Sequence, residues 1–115
     1  MTFTATMTTG PQRMQALERA NAVRLKRAQL KRQIADGQMY AADVILDLPW
    51  EATSWPVGEL LTSQRRWGNI RAHKLLAELH ISETRPVGAL TERQRRVLAT
   101  QLRAHASEEL ELIGV

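Results

Sequence analysis

The chain has 115 residues, no cysteine and a formal net charge of +4, from 16 Lys and Arg against 12 Asp and Glu. This length suits one domain with a single core, and the lack of cysteine excludes a disulfide framework and a thiolate metal site. No apolar run is long enough to span a bilayer, and residues 1–10 lack the basic and apolar regions of a secretory signal. We therefore expect a cytoplasmic protein without a membrane partner.

Positive charge is concentrated in blocks along the chain. Residues 11–37 hold seven Lys and Arg against two acids, whereas residues 38–63 hold four acids and no base. Residues 64–80 hold four bases against one acid, residues 81–106 hold five against two, and the last nine residues hold three acids. Blocked basic charge and a pI near 10.3 favour a polyanionic partner, most often nucleic acid. A solvated surface without a partner is the alternative.

The first predicted element is a long basic helix over residues 12–37. Between Gln12 and Asp36 there is neither glycine nor proline, strong helix formers dominate, and Gly37 ends the run as a helix C′ residue. Residues 1–11 carry little apolar surface and no periodicity, so we expect them to be disordered.

The apolar residues of this helix are unevenly distributed. Val23, Leu30 and Ile34 give the second half a face for the core, so the first half is expected to project as a basic arm. The basic side chains spread around the cylinder, and several can face a duplex at once. From this helix the following are assigned to nucleic-acid binding: Arg24, Arg27 and Lys31. A solvated helix face is the competing interpretation.

Residues 38–106 predict a helical core, and residues 107–115 an acidic tail that can extend the last helix. Pro49 stops a first short helix, and Thr91 with Gln94 forms the capping-box signature of the last one. No alternating apolar pattern predicts a strand. The fold class is therefore all-α, with about five helices. Side chains expected in the core include Ala41, Val44, Ile45, Leu48, Trp50, Trp55, Val57, Leu60, Leu61, Val97, Leu98 and Leu102.

The segment from Arg65 to Glu78 predicts a tight turn that opens into a helix. Gly68 is expected to let the backbone bend and approach another molecule closely. A helix start carries unpaired N–H groups and the positive end of the dipole, for which a phosphate is a natural ligand. We predict a nucleic-acid clamp formed by Arg65, Arg66, Gly68, Asn69, Arg71 and Lys74. The apolar stripe that packs this helix is Ala72, Leu75, Leu76 and Leu79.

Enzymatic constellations are missing from the sequence. His73, His80 and His105 lack the carboxylates that would complete a metal site, and no serine lies in a nucleophile elbow. No phosphate-binding loop of the P-loop kind is present, and Asp43 and Asp47 are interpreted as exposed acids. We therefore expect no catalysis, cofactor, metal or small-molecule substrate.

Trp67 lies beside the turn glycine and has two interpretations. It would either stack on a sugar or base and wedge into a groove, or pack against the neighbouring helix and fix the turn. We favour packing, because large aromatic side chains near turns usually contribute core area.

Two runs of the sequence resemble a known family. Residues 64–72, QRRWGNIRA, and residues 84–96, which contain TRP and LTERQRR, are similar to the actinobacterial, mycobacterial-type integration host factor. The long first helix is also similar to that of the family, so the resemblance covers about residues 14–104.

The resemblance implies both a fold and a function. The fold would be a helix-two-turn-helix core, also known from a ribosomal protein and some DNA glycosylases. The function would be nucleoid-associated binding of double-stranded DNA in the cytoplasm, with weak sequence preference, supporting DNA compaction and phage site-specific recombination. By position, Arg66, Gly68 and Arg71 match the family's basic turn. The second basic cluster is matched by Arg85, Arg93 and Arg96.

Some positions depart from the family pattern. Asn69 stands where the family usually has a lysine, Arg65 where a proline is common, and Trp67 where the family has an aliphatic residue. Pro86 and Gly88 replace basic residues. Such departures are typical of a divergent member, for example one carried by a phage.

Two other functions stay open on the sequence. A structured-RNA-binding protein is one, because the same core occurs in the ribosome. A protein-interaction adaptor for a site-specific recombinase is the other, and the acidic segment 38–63 would then matter more than the arginines.

Overall fold

The computed structural model describes the backbone of residues 2–112 and the side chains of residues 11–106. Within that part the chain is all-helical apart from an isolated β-bridge, which confirms the predicted fold class and the number of helices. The α-helices are α1 (Thr2–Ala35), α2 (Ala41–Asp47), α3 (Val57–Thr62), α4 (Asn69–Glu78) and α5 (Glu92–Leu112). Single 3-10 turns occupy Trp50–Ala52 and Val87–Ala89.

Helix α1 is the longest element, with 34 residues, and it extends to about 51 Å at 1.5 Å per residue. Its second half packs on the core through Leu30 and Ile34, which are buried, whereas residues 11–19 are exposed. The helix therefore projects, and the protein measures 68 × 28 × 23 Å along its principal axes. The expectation that one half docks and the other projects is confirmed.

The start of α1 differs from the sequence prediction, whereas the end of α5 agrees with the extension that the prediction allowed. Helix α1 begins at Thr2 rather than Gln12, so the backbone of the segment expected to be disordered is helical, although the side chains of residues 1–10 lie outside the described part. A helix satisfies its backbone groups internally and can continue without packing, even past Pro11, which removes one of those bonds. At the other end α5 continues to Leu112, through much of the predicted acidic tail.

One hydrophobic core joins the helices. Helix α2 packs along α5, α3 packs on α4, and α1 contacts the 3-10 turn Trp50–Ala52. Each large apolar side chain that is fully buried here stabilises the fold by roughly 1.5–3 kcal/mol. The largest are Trp55, Ile45, Leu60, Leu61, Leu76, Leu98, Val57 and Val87.

Two residues expected in the core are exposed. Trp50 is 51% exposed, and the Lys26 ammonium lies 6.0 Å from its ring centroid. Trp55 instead occupies the core, and the 3-10 turn after Pro49 directs Trp50 outward. Val97 is 40% exposed. The face of α5 that packs on the core is centred on Leu98 and on the residue one helical turn later, Leu102, so Val97 lies outside it.

The helix boundaries follow the local signals in the sequence. Gly37 has φ of +79° after α1, as expected of a C′ glycine. At the start of α5 the backbone N–H of Thr91 donates to the Gln94 side chain at 2.9 Å, and the backbone N–H of Gln94 donates to the Thr91 hydroxyl at 3.1 Å. The predicted capping box is therefore confirmed.

The loops before α3 and before α5 cross each other as a short antiparallel pair. The backbone N–H groups of Val57 and Val87 donate to the carbonyls of Arg85 and Trp55, each at 2.9 Å. Gly88 also donates to the Thr53 carbonyl at 2.9 Å, and a Cβ at this glycine would lie only 2.4 Å from the Thr53 Cγ2. The loop before α3 and the loop before α5 are thus joined at a position where only a glycine fits.

Candidate functional site

The candidate site begins at the turn between α3 and α4. Arg66 is the residue in the left-handed region, with φ of +71°. Gly68 has φ of −89° and ψ of 178°, an extended conformation open to any residue. The prediction that Gly68 bends the backbone is therefore wrong: Arg66 makes the turn, because the chain must reverse before Trp67 enters the core.

Gly68 is instead the residue before the first turn of α4, and the space around it is open. A Cβ built on Gly68 would meet no atom within 4 Å among the described residues other than its two chain neighbours. No side chain caps this end of α4, and its first turn holds no acid. The first N–H groups of the helix are therefore accessible, and neither backbone strain nor packing explains the glycine.

Several of the predicted clamp residues surround this helix start. Arg65, Arg66, Asn69 and Lys74 are exposed. Neither Arg65 nor Arg66 forms an ion pair with a carboxylate among the described side chains, residues 11–106. Positive charge from these side chains therefore adds to the positive end of the helix dipole.

Arg71 lies in the same turn but has a different environment. It is half-buried, and its guanidinium carbon lies 4.1 Å from the centroid of the Trp67 ring. Trp67 is 7% exposed, and its ring meets that of His105 edge-on, with centroids 5.7 Å apart and an interplanar angle of 87°. The expectation that Trp67 packs in the core is confirmed.

The loop that carries Arg85 is adjacent to the start of α4. A surface groove of about 320 Å³ is lined by Asn69 on one side and by Glu83 and Thr84 on the other. The Arg85 guanidinium is exposed and donates to the Ala89 carbonyl at 3.3 Å. The loop therefore reaches the start of α4 through Glu83 and Thr84, and Arg85 itself is not among the residues that line the groove.

The two arginines of α5 are both exposed. Arg93 lies beside a small surface hollow that it shares with Leu79 and Ile81. Arg96 pairs with Glu92 one helical turn away at 3.1 Å, with 66% and 73% of the two side chains exposed. Such exposed pairs contribute little and exchange readily with solvent or an anion.

Helix α1 divides its basic residues between two roles. Arg24 and Lys31 are exposed, as a binding role requires. Arg27 is half-buried: its Nη2 donates to the Ser54 hydroxyl at 2.6 Å and its Nε to the Glu51 carbonyl at 3.4 Å. The Arg27 guanidinium therefore fastens α1 to the loop that follows α2, and its assignment to nucleic-acid binding stays a prediction.

His73 is paired with the Glu83 carboxylate through Nδ1, which links α4 to the same loop. Among the described residues no group of three or more His, Cys, Asp or Glu is arranged to hold a metal ion. No helix in the part of the chain that the structure describes is both long and apolar enough to cross a membrane.

Ile70 is the residue that the sequence analysis did not select. It is 86% exposed on the first turn of α4, between Asn69 and Arg71. Its position outside the apolar stripe of α4 was the signal in the sequence that could have identified it as exposed. An isolated exposed isoleucine is common on protein surfaces, so its exposure alone assigns no role.

Comparison with known proteins shows clear relatives. Over 92 residues the chain is 34% identical to proteins named integration host factor from Mycolicibacterium smegmatis and from Mycobacterium tuberculosis, which covers 78% of this chain and 88% of each relative. A solved structure of sIHF bound to an 8 bp palindromic DNA is similar with a TM-score of 0.67 and 29% identity, covering 74% of this chain and 98% of that one. No family model matches the chain.

Proposed function

The chain belongs to the integration host factor family of mycobacterial type, and on that premise we propose that it binds double-stranded DNA as an architectural protein. The contacts go mainly to the phosphate backbone, so sequence preference is weak. The similar solved structure is a complex with duplex DNA, which supports the choice of partner.

The open start of α4 is the observation that carries the proposal. The backbone at position 68 is unstrained, and a Cβ there would meet nothing within 4 Å among the described residues beyond its chain neighbours, so within that part of the chain a glycine is favoured only as an N-cap residue. A glycine there leaves the helix N–H groups open to a ligand larger than water. Arg65 and Arg66 stand beside that opening, so the ligand favoured by charge is an anion, and a DNA phosphate fits.

The remaining proposed contacts are made with other phosphates along the duplex. Arg66 and Arg71 bracket the phosphate at the α4 start, and Asn69 and Lys74 follow on the same helix. A second stretch of backbone is held from the neighbouring loop and from α5. The residues proposed there are Arg85, Arg93 and Arg96. The exposed residues Arg24 and Lys31 of α1 track the backbone, whereas Arg27 serves the fold.

We further propose a nucleoid-associated protein of the cytoplasm that supports DNA compaction and phage site-specific recombination, with a recombinase as a protein partner. These roles are inferred from the family to which the chain belongs. They require that the chain bind and position DNA, and they include no catalytic step by this chain.

The salt dependence of binding tests the proposal. With about six phosphates contacted, the logarithm of the association constant for a duplex should fall against the logarithm of salt with a slope of about −5. Two duplexes of unrelated sequence should give the same slope. A flat response would contradict the phosphate clamp. Displacement of DNA by duplex RNA at equal concentration would show that the partner is structured RNA instead.

A further inference from the structure

Trp67 and Arg71 stand on either side of the open start of α4. Gly68 is the N-cap of this helix, so Trp67 is the N′ residue and Arg71 is the third helical residue. The guanidinium of Arg71 lies over the face of the indole, 4.1 Å from its centroid, within cation–π range. Resting on the function proposed above, we propose that Trp67 is a positioning residue that holds the Arg71 guanidinium for a DNA phosphate.

The indole is suited to this role because it is fixed. Only 7% of Trp67 is exposed, and the His105 ring abuts it edge-on. A buried ring held on its edge by a residue of α5 presents one face in a constant orientation. The same burial excludes Trp67 from stacking on a base, so any effect on DNA binding passes through Arg71.

The position of Arg71 is unfavourable for a cation. It lies in the first turn of α4, where the positive end of the helix dipole repels positive charge. An arginine side chain loses rotamer freedom when a phosphate fixes it, and this loss costs binding free energy. Stacking on Trp67 removes part of that cost before the DNA arrives.

The arrangement resembles a hydrophobic staple with a cation in place of one apolar residue. In the usual staple an apolar N′ residue packs on the fourth residue of the helix and sets the angle at which the chain enters. Here the N′ residue stacks on the third, and the stack fixes the cation beside the helix N–H groups that Gly68 leaves open. The two contacts then act on one phosphate.

A double-mutant cycle on DNA binding tests this coupling. Affinity for a labelled duplex is measured by fluorescence anisotropy at constant salt for the wild type, Trp67→Leu, Arg71→Ala and the double variant. Trp67→Leu removes the stack and should weaken binding about two- to fivefold when Arg71 is present. In the Arg71→Ala background the same change should have no effect. Equal losses in both backgrounds, or no loss in either, would overturn the inference.

Nuclear magnetic resonance of the free protein separates this inference from the proposed function. The side-chain protons of Arg71 should be shifted upfield by the Trp67 ring current, and the shift should vanish in Trp67→Leu. A missing shift overturns the stack whatever the DNA results. A wild-type protein that shows the shift but binds no duplex would refute the proposed function alone.

A second variant keeps the test valid if Trp67→Leu does not fold. Trp67→Phe retains an aromatic face of smaller quadrupole, so it should give a smaller ring-current shift and a smaller loss of affinity than Trp67→Leu. The loss should again disappear in the Arg71→Ala background. A loss in Trp67→Phe that persists there would assign Trp67 to the fold only.

Discussion

Gly88 lies where two loops cross, and Gly68 lies where a helix opens toward solvent. At Gly88 a Cβ would lie 2.4 Å from the Thr53 Cγ2 and 2.8 Å from its carbonyl oxygen, while at Gly68 it would meet nothing within 4 Å. Both glycines have negative φ, so neither is required by a left-handed turn. Packing within the chain therefore explains Gly88, whereas at Gly68 the described residues leave room for a side chain and the glycine serves as the N-cap of α4.

The comparison extends to the loops around each glycine. The crossing of residues 53–58 with residues 83–88 is closed by backbone hydrogen bonds and leaves no room for a side chain at Gly88. The α3–α4 turn carries exposed arginines, one of them in a left-handed conformation, and no side-chain cap. The crossing is held by contacts within the chain, whereas the turn carries exposed positive charge. The predictions below are ordered from the largest expected change in stability to the smallest.

The largest effect is expected at the crossing. Gly88→Ala should lower the free energy of unfolding by about 2–3 kcal/mol, because the loops must separate to admit the methyl group. Urea unfolding followed by circular dichroism measures it. Gly58→Ala is the matched control: its Cβ would lie 3.0 Å from the Glu83 Cβ, and about 1 kcal/mol of helix propensity opposes the strain. Equal effects of the two changes would contradict the assignment.

A smaller loss of stability is expected on α1. Arg27→Ala should lower the free energy of unfolding by about 1–2 kcal/mol, because it removes the hydrogen bonds to Ser54 and Glu51 and the packing of its stem. Arg24→Ala, on the same helix but exposed, should change it by less than about 0.5 kcal/mol. The same denaturant titration measures both. A loss from Arg27→Ala no larger than that from Arg24→Ala would contradict the structural role of Arg27.

Local signals in the sequence were sufficient for most of the fold. Gly37, Pro49 and the Thr91–Gln94 box each act within a few residues, and the helix ends that they mark agree with the structure. Periodicity likewise gave the buried faces of α3 and α4. The start of α1 at Thr2 has no such signal, and it was placed differently.

The roles of single residues depended on distant contacts that no local pattern contains. Arg27 looks like its exposed neighbours in the sequence, and only the loop at Ser54 gives it a structural role. Gly88 was interpreted as the replacement of a basic residue of the family, although the glycine is required by its close contact with Thr53. The turn was assigned to Gly68 because glycine usually adopts positive φ, but a strained arginine took that conformation instead.

Two left-handed residues provide the next test. Arg66 and His80 have φ of +71° and +58°, so Arg66→Gly and His80→Gly should each raise the free energy of unfolding by roughly 0.5–1 kcal/mol. Their effects on DNA should differ. Arg66→Gly removes a proposed phosphate contact and should reduce the magnitude of the salt slope by about 1, whereas His80→Gly should leave it unchanged. Identical binding by both variants would remove Arg66 from the clamp.

Gly68→Ala gives the most direct test of the central claim, that the start of α4 is kept open for a DNA phosphate. Its free energy of unfolding should stay within about 0.5 kcal/mol of the wild type, because a poorer N-cap and a less flexible unfolded chain have opposite effects. Its affinity for duplex DNA at constant salt should fall about tenfold, comparable to the loss of one hydrogen bond to a charged group. An affinity equal to that of the wild type, with stability unchanged, would contradict the account.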